Sequence, residues 1–101
     1  FAALPSGMVG MACWWSLSGG IIEADIMFSK NIKWYLSKPS SCASKWSLHA
    51  AAAHEIGHAF GLNHVSETSN GSLTMSPRIN ACQQSEVTLG LGDLRGLESL
   101  Y

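Results

Sequence analysis

Three imidazoles and one carboxylate lie within the short segment of this chain from His54 to His64. His54 and His58 are four residues apart, so on a helix they project from one face, one turn apart, and can bind one metal ion. Glu55 lies on a neighbouring flank, where its carboxylate can hold a water molecule on that ion and act as a general base. The segment therefore predicts a metal-dependent hydrolytic site.

A turn after the second histidine would supply a third ligand. Gly61 follows His58 by three residues, where a helix end favours a left-handed backbone that glycine adopts without a Cβ clash. Such a turn would bring His64 back toward the ion. Three nitrogen ligands leave the fourth corner of a tetrahedral zinc ion for water, as in catalytic sites. Structural sites usually recruit cysteine and fill all four corners.

Other interpretations of the motif fit the sequence less well. A bare H-E-x-x-H arises by chance on surface helices, but the glycine and the third histidine argue against chance. A thermolysin-like site would use a glutamate ligand with an aspartate four residues on, and no Glu-x-x-x-Asp follows His58. His49, five residues before His54, lies far round the helix and is predicted to be an ordinary polar residue.

The motif needs a helix to carry it and strands beside it. The alanine-rich stretch from Leu48 to Phe60 favours a helix, with Ser47 as its N-cap. Gly7 to Trp15 is apolar, and Ile22 to Ser29 alternates apolar and polar residues. These two stretches predict an antiparallel pair of strands around a Gly19-Gly20 turn.

The periodicity of apolar residues is weaker in the rest of the chain. Ile32, Trp34 and Leu36 continue an apolar alternation, and the polar stretch 66–72 predicts a loop. A short amphipathic helix closes the chain, with Asp93 in its first turn at the positive end of the helix dipole. Its apolar face is predicted from leucines at helical spacing: Leu91, Leu94, Leu97 and Leu100. The predicted fold class is α+β.

The composition indicates one compact globular domain over residues 1–101. The chain has 101 residues, of which 47% are hydrophobic and 13% charged, and its formal net charge is −1. No basic cluster gives an electrostatic reason to expect nucleic acid or an anionic membrane as partner. No apolar stretch approaches a membrane span. We expect a monomer.

The three cysteines are an odd set. Cys42 lies in the loop before the motif helix and Cys82 in a loop after it, and both loops need pinning against that helix. A Cys42–Cys82 disulfide is therefore predicted, with Cys13 left over. The alternative is three reduced, buried thiols in an intracellular protein.

At this point the residues resemble the metzincin clan of zinc endopeptidases, whose H-E-x-x-H-x-x-G-x-x-H signature is followed by a methionine-containing turn. Leu73 to Pro77 is similar to that turn. Within the clan, the matrixin branch and its secreted bacterial relatives are most similar, through Ile22 to Ile26 and Leu89 to Leu97. The resemblance covers Gly7 to Tyr101.

The resemblance implies a set of site residues. His54, His58 and His64 would bind zinc, Glu55 would be the base, and Met75 would form the floor of the site; Met75 could equally be a core gap-filler. Two further groups would contact substrate. Ser76 and Pro77 would line the pocket for the side chain after the scissile bond, and an exposed edge strand would bind an extended substrate through its backbone. The strand residues are Val9, Gly10, Met11 and Ala12. The alternative is a covered strand without a ligand.

Three departures from the family qualify these expectations. Many relatives have tyrosine in place of Ser76. Matrixins commonly hold a structural zinc and calcium ions on the strand that Ala24 to Trp34 resembles, but the corresponding residues Asp25 to Asn31 keep one carboxylate, a lysine and no histidine. We therefore expect one zinc ion and no calcium. Matrixin domains also begin with three strands and a long helix that have no counterpart before Phe1, so the chain resembles the carboxyl-terminal two thirds of such a domain, or a pared-down version.

The predicted function is a secreted zinc-dependent endopeptidase that hydrolyses extended protein or peptide substrates through a zinc-bound water activated by Glu55. The alternative is a zinc-binding but inactive fragment or interaction module, in which the metal stabilises the fold while an incomplete sheet fails to hold substrate.

Overall fold

The computed structural model describes residues 1–70, 73–83 and 91–100. Its strands and helices have the predicted α+β character. In chain order they are β1 (Gly10–Leu17), β2 (Gly20–Phe28), β3 (Trp34–Tyr35), β4 (Trp46–Ser47), α1 (Leu48–Ala59), α2 (Glu67–Asn70) and α3 (Leu91–Leu100). None of these helices is long and apolar enough to cross a membrane.

β1 and β2 form the predicted antiparallel pair, with Gly10 opposite Phe28. Gly19 and Gly20 make the turn with φ of +123° and +135°, a backbone region that L side chains rarely adopt. β1 begins later than Gly7, the predicted start. The Met8 N–H donates to the Pro5 carbonyl, and Gly7 has a φ of +84°, so a turn precedes the strand.

The hydrogen-bond register fixes which edge each β1 residue faces. The Ser29 N–H donates to the Val9 carbonyl at 2.9 Å, so Val9 directs its main-chain acceptor toward the partner strand. The direction of the main-chain N–H and C=O groups alternates along a strand. Those of Met11 therefore also point toward β2, and those of Gly10, Ala12 and Trp14 point away from β2, at the opposite edge of β1. Among the described residues β1 pairs only with β2, which leaves that opposite edge free.

The helix α1 begins where predicted. The Ser47 hydroxyl accepts a hydrogen bond from the Ala50 N–H at 3.1 Å, which satisfies one of the unpaired donors at the helix start. Ala50 and Ala51 are buried. The helix ends at Ala59, one residue before the predicted Phe60, which forms the C-cap. This end is followed by Gly61 in the left-handed region.

The apolar alternation of Ile32, Trp34 and Leu36 does not form one buried face. Leu36 is 77% exposed and Tyr35 is buried, and the strand pairing of β3 with β4 spans only two residues and ends at Tyr35. The loop predicted over residues 66–72 was wrong in part. The stretch 66–72 contains the short helix α2 rather than a loop throughout. A single helical turn has no apolar periodicity by which a sequence pattern could reveal it.

The closing helix α3 covers the leucines at helical spacing, as predicted. The predicted role of the Asp93 side chain, and the residues Leu89 and Gly90 of the family resemblance, lie outside what the structure describes.

Cys42 and Cys82 form the predicted disulfide, with their Cα atoms 5.8 Å apart and a sequence separation of 40. The Cys82 N–H also donates to the Lys45 carbonyl at 2.9 Å. The bridge therefore joins the loop before α1 to the loop that follows residues 73–76. Cys13 is a free, half-buried thiol.

Removing this disulfide should destabilise the fold. A loop of this length constrains the unfolded chain, so the Cys42→Ala/Cys82→Ala variant should lose about 4 kcal/mol of unfolding free energy in urea. The control is Cys13→Ala, which removes the free thiol and should change the unfolding free energy by less than about 1 kcal/mol. Equal losses in the two variants would show that the bridge is not a major stabilising element.

Candidate metal centre

The three histidines of the motif converge. The Nε2 atoms of His54, His58 and His64 lie 3.1 Å from one another in each of the three pairs. Zinc binds imidazole nitrogen at about 2.0–2.1 Å, so three nitrogens on one tetrahedral ion lie about 3.3 Å apart. The observed separation matches that requirement closely, and the donor set fits a zinc ion.

Main-chain carbonyls orient two of these rings. The Nδ1 atom of His54 lies 2.7 Å from the Thr74 carbonyl oxygen, and Nδ1 of His58 lies 2.7 Å from the Leu62 carbonyl oxygen. A carbonyl only accepts hydrogen bonds, so each Nδ1 carries the proton. In a neutral imidazole Nε2 then carries a lone pair. Two such lone pairs cannot hydrogen-bond to each other, and a shared cation would relieve their repulsion.

The surroundings of the third histidine favour its neutral form. His64 is exposed on the cleft side, yet partial burial lowers the pKa of its imidazole, and electrostatic repulsion by His58 lowers it further. A neutral imidazole is the form that ligates a metal ion. The turn at Gly61 predicted that His64 would return toward His54 and His58, and the structure places its ring beside theirs.

The Glu55 carboxylate lies next to this cluster with one oxygen unpaired. The residue is 6% exposed, and its Oε2 has no hydrogen-bond partner within the described part of the chain. Burial raises the pKa of the Glu55 carboxyl, and the charge of His58 partly opposes that rise. A buried oxygen without a partner costs stability, and such groups cluster at functional sites.

Met75 lies beneath α1, the helix that carries His54 and His58. It is 1% exposed, and a Cβ added at Gly57 would overlap its Sδ atom, so the glycine permits close packing of α1 on Met75. The turn that contains Met75 closes with the Ser76 N–H donating to the Leu73 carbonyl, and the Met75 carbonyl accepts from the Val65 N–H. The turn is thereby joined both to α1 and to the segment that carries His64.

Gly61 has the left-handed backbone that its place after α1 predicted, with a φ of +97°. Its N–H donates to the His58 carbonyl at 2.9 Å, and the Leu62 N–H donates to the Gly57 carbonyl at 3.0 Å. These two bonds close the helix and reverse the chain toward His64.

Gly61→Ala should therefore weaken metal binding. A side chain on a residue with this left-handed backbone destabilises the fold by about 1–2 kcal/mol. A Cβ at position 61 would lie 3.4 Å from Cδ1 of Leu100, an ordinary contact, so the destabilisation comes from backbone strain and not from lack of space. We expect a lower melting temperature and a lower zinc affinity in a chelator competition. Gly61→Asn is the matched variant and should lose less, because asparagine tolerates this conformation. A Gly61→Ala protein with native zinc affinity would contradict the role of the turn.

A cleft of about 820 Å³ opens in front of the histidines. The strand residues predicted to bind substrate, together with Ser76 and Pro77, all line it. The four strand residues differ in where their main-chain groups point. Val9 and Met11 direct them toward β2, so only Gly10 and Ala12 present main-chain N–H and C=O groups to the cleft. Ser76 is buried, and its hydroxyl has no partner among the described residues.

Trp14 is a cleft residue that the sequence did not single out. Its ring stacks on the His58 ring at an interplanar angle of 22° and a centroid distance of 6.2 Å, and 46% of the residue is exposed. Arg78 and Ile79, just after Pro77, also line the cleft. The sequence could have indicated Trp14 through the alternation of the strand, because residues two and four positions apart share a face and Trp14 therefore lies on the same face as Gly10 and Ala12.

Comparison with known proteins identifies the family of the chain and relatives within it. A protein-family model described as Matrixin (Peptidase_M10) matches residues 7–101. A protein of Trichoplusia ni ascovirus 2c with the provisional description matrix metalloproteinase is 35% identical over 80 residues. The match covers 79% of this chain and 14% of that protein, so the chain spans a small part of its relative. No solved structure matches the chain significantly.

Proposed function

The chain belongs to the matrixin family, and from that membership we propose that it is a zinc-dependent endopeptidase that cleaves extended polypeptides. One observation carries the proposal: three histidine Nε2 atoms lie 3.1 Å apart, and carbonyl acceptors at two of the rings direct the lone pairs inward. The histidines of a motif that had arisen by chance on a surface helix would have no reason to converge in this way.

The roles proposed for the site residues follow from their placement. His54, His58 and His64 would hold the ion and Glu55 would act as general base. When bound, zinc acidifies a water molecule and polarises the carbonyl of the scissile bond. Glu55 would take the proton from the attacking water and pass it to the departing amine, so that peptide and water become a carboxylic acid and an amine.

Substrate would bind as an added strand along the free edge of β1. Gly10, Ala12 and Trp14 direct their main-chain donors and acceptors there, which is the arrangement that an extended peptide needs for backbone pairing. The cleft beyond that edge also contains the histidines and Glu55, so a bound peptide would pass the metal site. Backbone pairing of this kind accepts many sequences, and the cleft side chains would set the preference.

We also propose that the protein acts outside the cell. The Cys42–Cys82 disulfide supports this, since such bridges persist in oxidising compartments. One zinc ion per chain, the absence of calcium and a monomeric state remain predictions from the sequence.

A chelator-controlled digestion tests the proposed activity. The purified chain, loaded with zinc, should digest casein or gelatin, lose the activity on dialysis against a chelator and regain it when zinc is restored. A chain that retains zinc but digests neither protein would be an inactive zinc-binding module, and the endopeptidase proposal would fail. Digestion that survives complete zinc removal would also contradict it.

A further inference from the structure

Strand β1 passes close to the Glu55 side chain at Gly10. A Cβ placed on Gly10 in ideal geometry would lie 2.9 Å from Oε1 of Glu55, 3.2 Å from its Cγ and 3.3 Å from its Cδ. Side-chain carbons in folded proteins do not approach other atoms as closely as the first of these distances. The carboxylate therefore occupies the space where any other residue at position 10 would carry its side chain.

Backbone conformation does not explain a glycine at this position. The described glycines with positive φ are Gly7, Gly19, Gly20 and Gly61, and Gly10 is not among them. Gly10 lies in a regular strand, where glycine weakens pairing and alanine would be the more stable residue. A Cβ at Gly7, Gly19 or Gly20 would meet nothing within 4 Å. Space for Glu55 is what distinguishes Gly10 from these residues.

We propose that Gly10 is a positioning residue for the general base, and that its missing side chain provides the place where the Glu55 carboxylate lies. The inference rests on the proposed function for its catalytic meaning. Glu55 extends from α1 into this space and is almost fully buried, so the strand backbone bounds the carboxylate on the side away from the helix. A methyl group at position 10 would displace the carboxylate, because the end of a glutamate side chain moves more easily than a strand.

The kinetic consequence is a loss in kcat. Displacing a catalytic group by a fraction of an ångström to 1 Å lowers the rate by about tenfold to a hundredfold. Gly10→Ala keeps the backbone N–H and C=O that face the cleft, so KM should hold within about twofold, and zinc content should stay at the level of the unaltered protein. Gly10→Val, with a larger side chain, should lower kcat further. A fall in zinc content that matches the fall in kcat would overturn the inference.

Gly96→Ala is a matched control. A Cβ there would lie 3.0 Å from Cδ2 of Leu62, a similarly close contact with a side-chain end, but in α3 and away from Glu55. Its kcat should match that of the unaltered protein. An equal loss in Gly96→Ala and Gly10→Ala would mean that a tight methyl anywhere in this small fold reduces activity, and the positioning role would be rejected.

A melting-temperature cycle tests the contact without using activity. In the Glu55→Ala background the methyl of Gly10→Ala meets no carboxylate, so the intrinsic preference for alanine should raise the melting temperature by about 2–8 °C. In the unaltered background the displaced carboxylate should cancel that rise or reverse it. Equal shifts in the two backgrounds would overturn the inference. The cycle is informative even if the chain digests no protein, so failure of the proposed function and failure of this contact are distinguishable.

Discussion

Glu55→Ala should reduce the rate of peptide hydrolysis by at least about 10²–10⁴ while the chain still binds zinc. The loss follows from removing the group that takes a proton from water and returns it to the amine, a contribution typical of general acid–base catalysis. The zinc content should not change, because all three converging nitrogens remain. Initial rates on gelatin and elemental analysis of the same samples measure the two quantities together.

The matched control for this prediction is Glu98→Ala. Glu98 is also a helical glutamate, but it is exposed on α3, and its replacement should leave the rate within about twofold, as for most surface changes. A Glu55→Ala protein with normal turnover would remove Glu55 from the mechanism. Loss of zinc from Glu55→Ala would assign the carboxylate to metal binding instead.

His58→Ala should lose both zinc and activity. The Nε2 atom of His58 lies 3.1 Å from the Nε2 atoms of His54 and His64. Its removal leaves two nitrogen donors from separate segments, His54 on α1 and His64 after the turn. Two imidazoles bind zinc much more weakly than three, and removing the ion also removes the stabilisation that it gives to the folded state. Elemental analysis after dialysis should find zinc well below one ion per chain, together with a lower melting temperature.

His49→Ala is the control for that experiment. His49 lies in the same helix α1 but is exposed in its first turn, away from the cluster. It should keep full zinc content and activity. Stoichiometric zinc in His58→Ala would refute the ligand set, and zinc loss in His49→Ala would show that zinc content reports on general damage to α1.

The helix α1 and the cluster of three histidines could be predicted from the sequence because their signals are local. Ser47 caps the helix, the alanines favour it, and the spacing of His54 and His58 fixes their common face. The turn at Gly61 is equally local, since it depends on the φ angle of one residue. These features depend on neighbours within a few positions, so a sequence pattern is sufficient to find them.

The features that the sequence did not reveal depend on contacts between distant segments. The start of β1 is set by a turn that includes Gly7, and a slip of one residue would exchange the edges that Gly10 and Met11 face. The stacking of Trp14 on His58 joins β1 to α1, and the contact of Gly10 with Glu55 does the same. Periodicity identifies a strand but does not identify what lies against it.

We propose that three histidines bind one zinc ion whose fourth position is open to water. X-ray absorption spectroscopy of the zinc-loaded protein measures that coordination directly. We predict three imidazole nitrogens and one oxygen, all at about 2.0–2.1 Å. A sulfur ligand at about 2.3 Å, or a first shell with fewer than three imidazoles, would contradict the account.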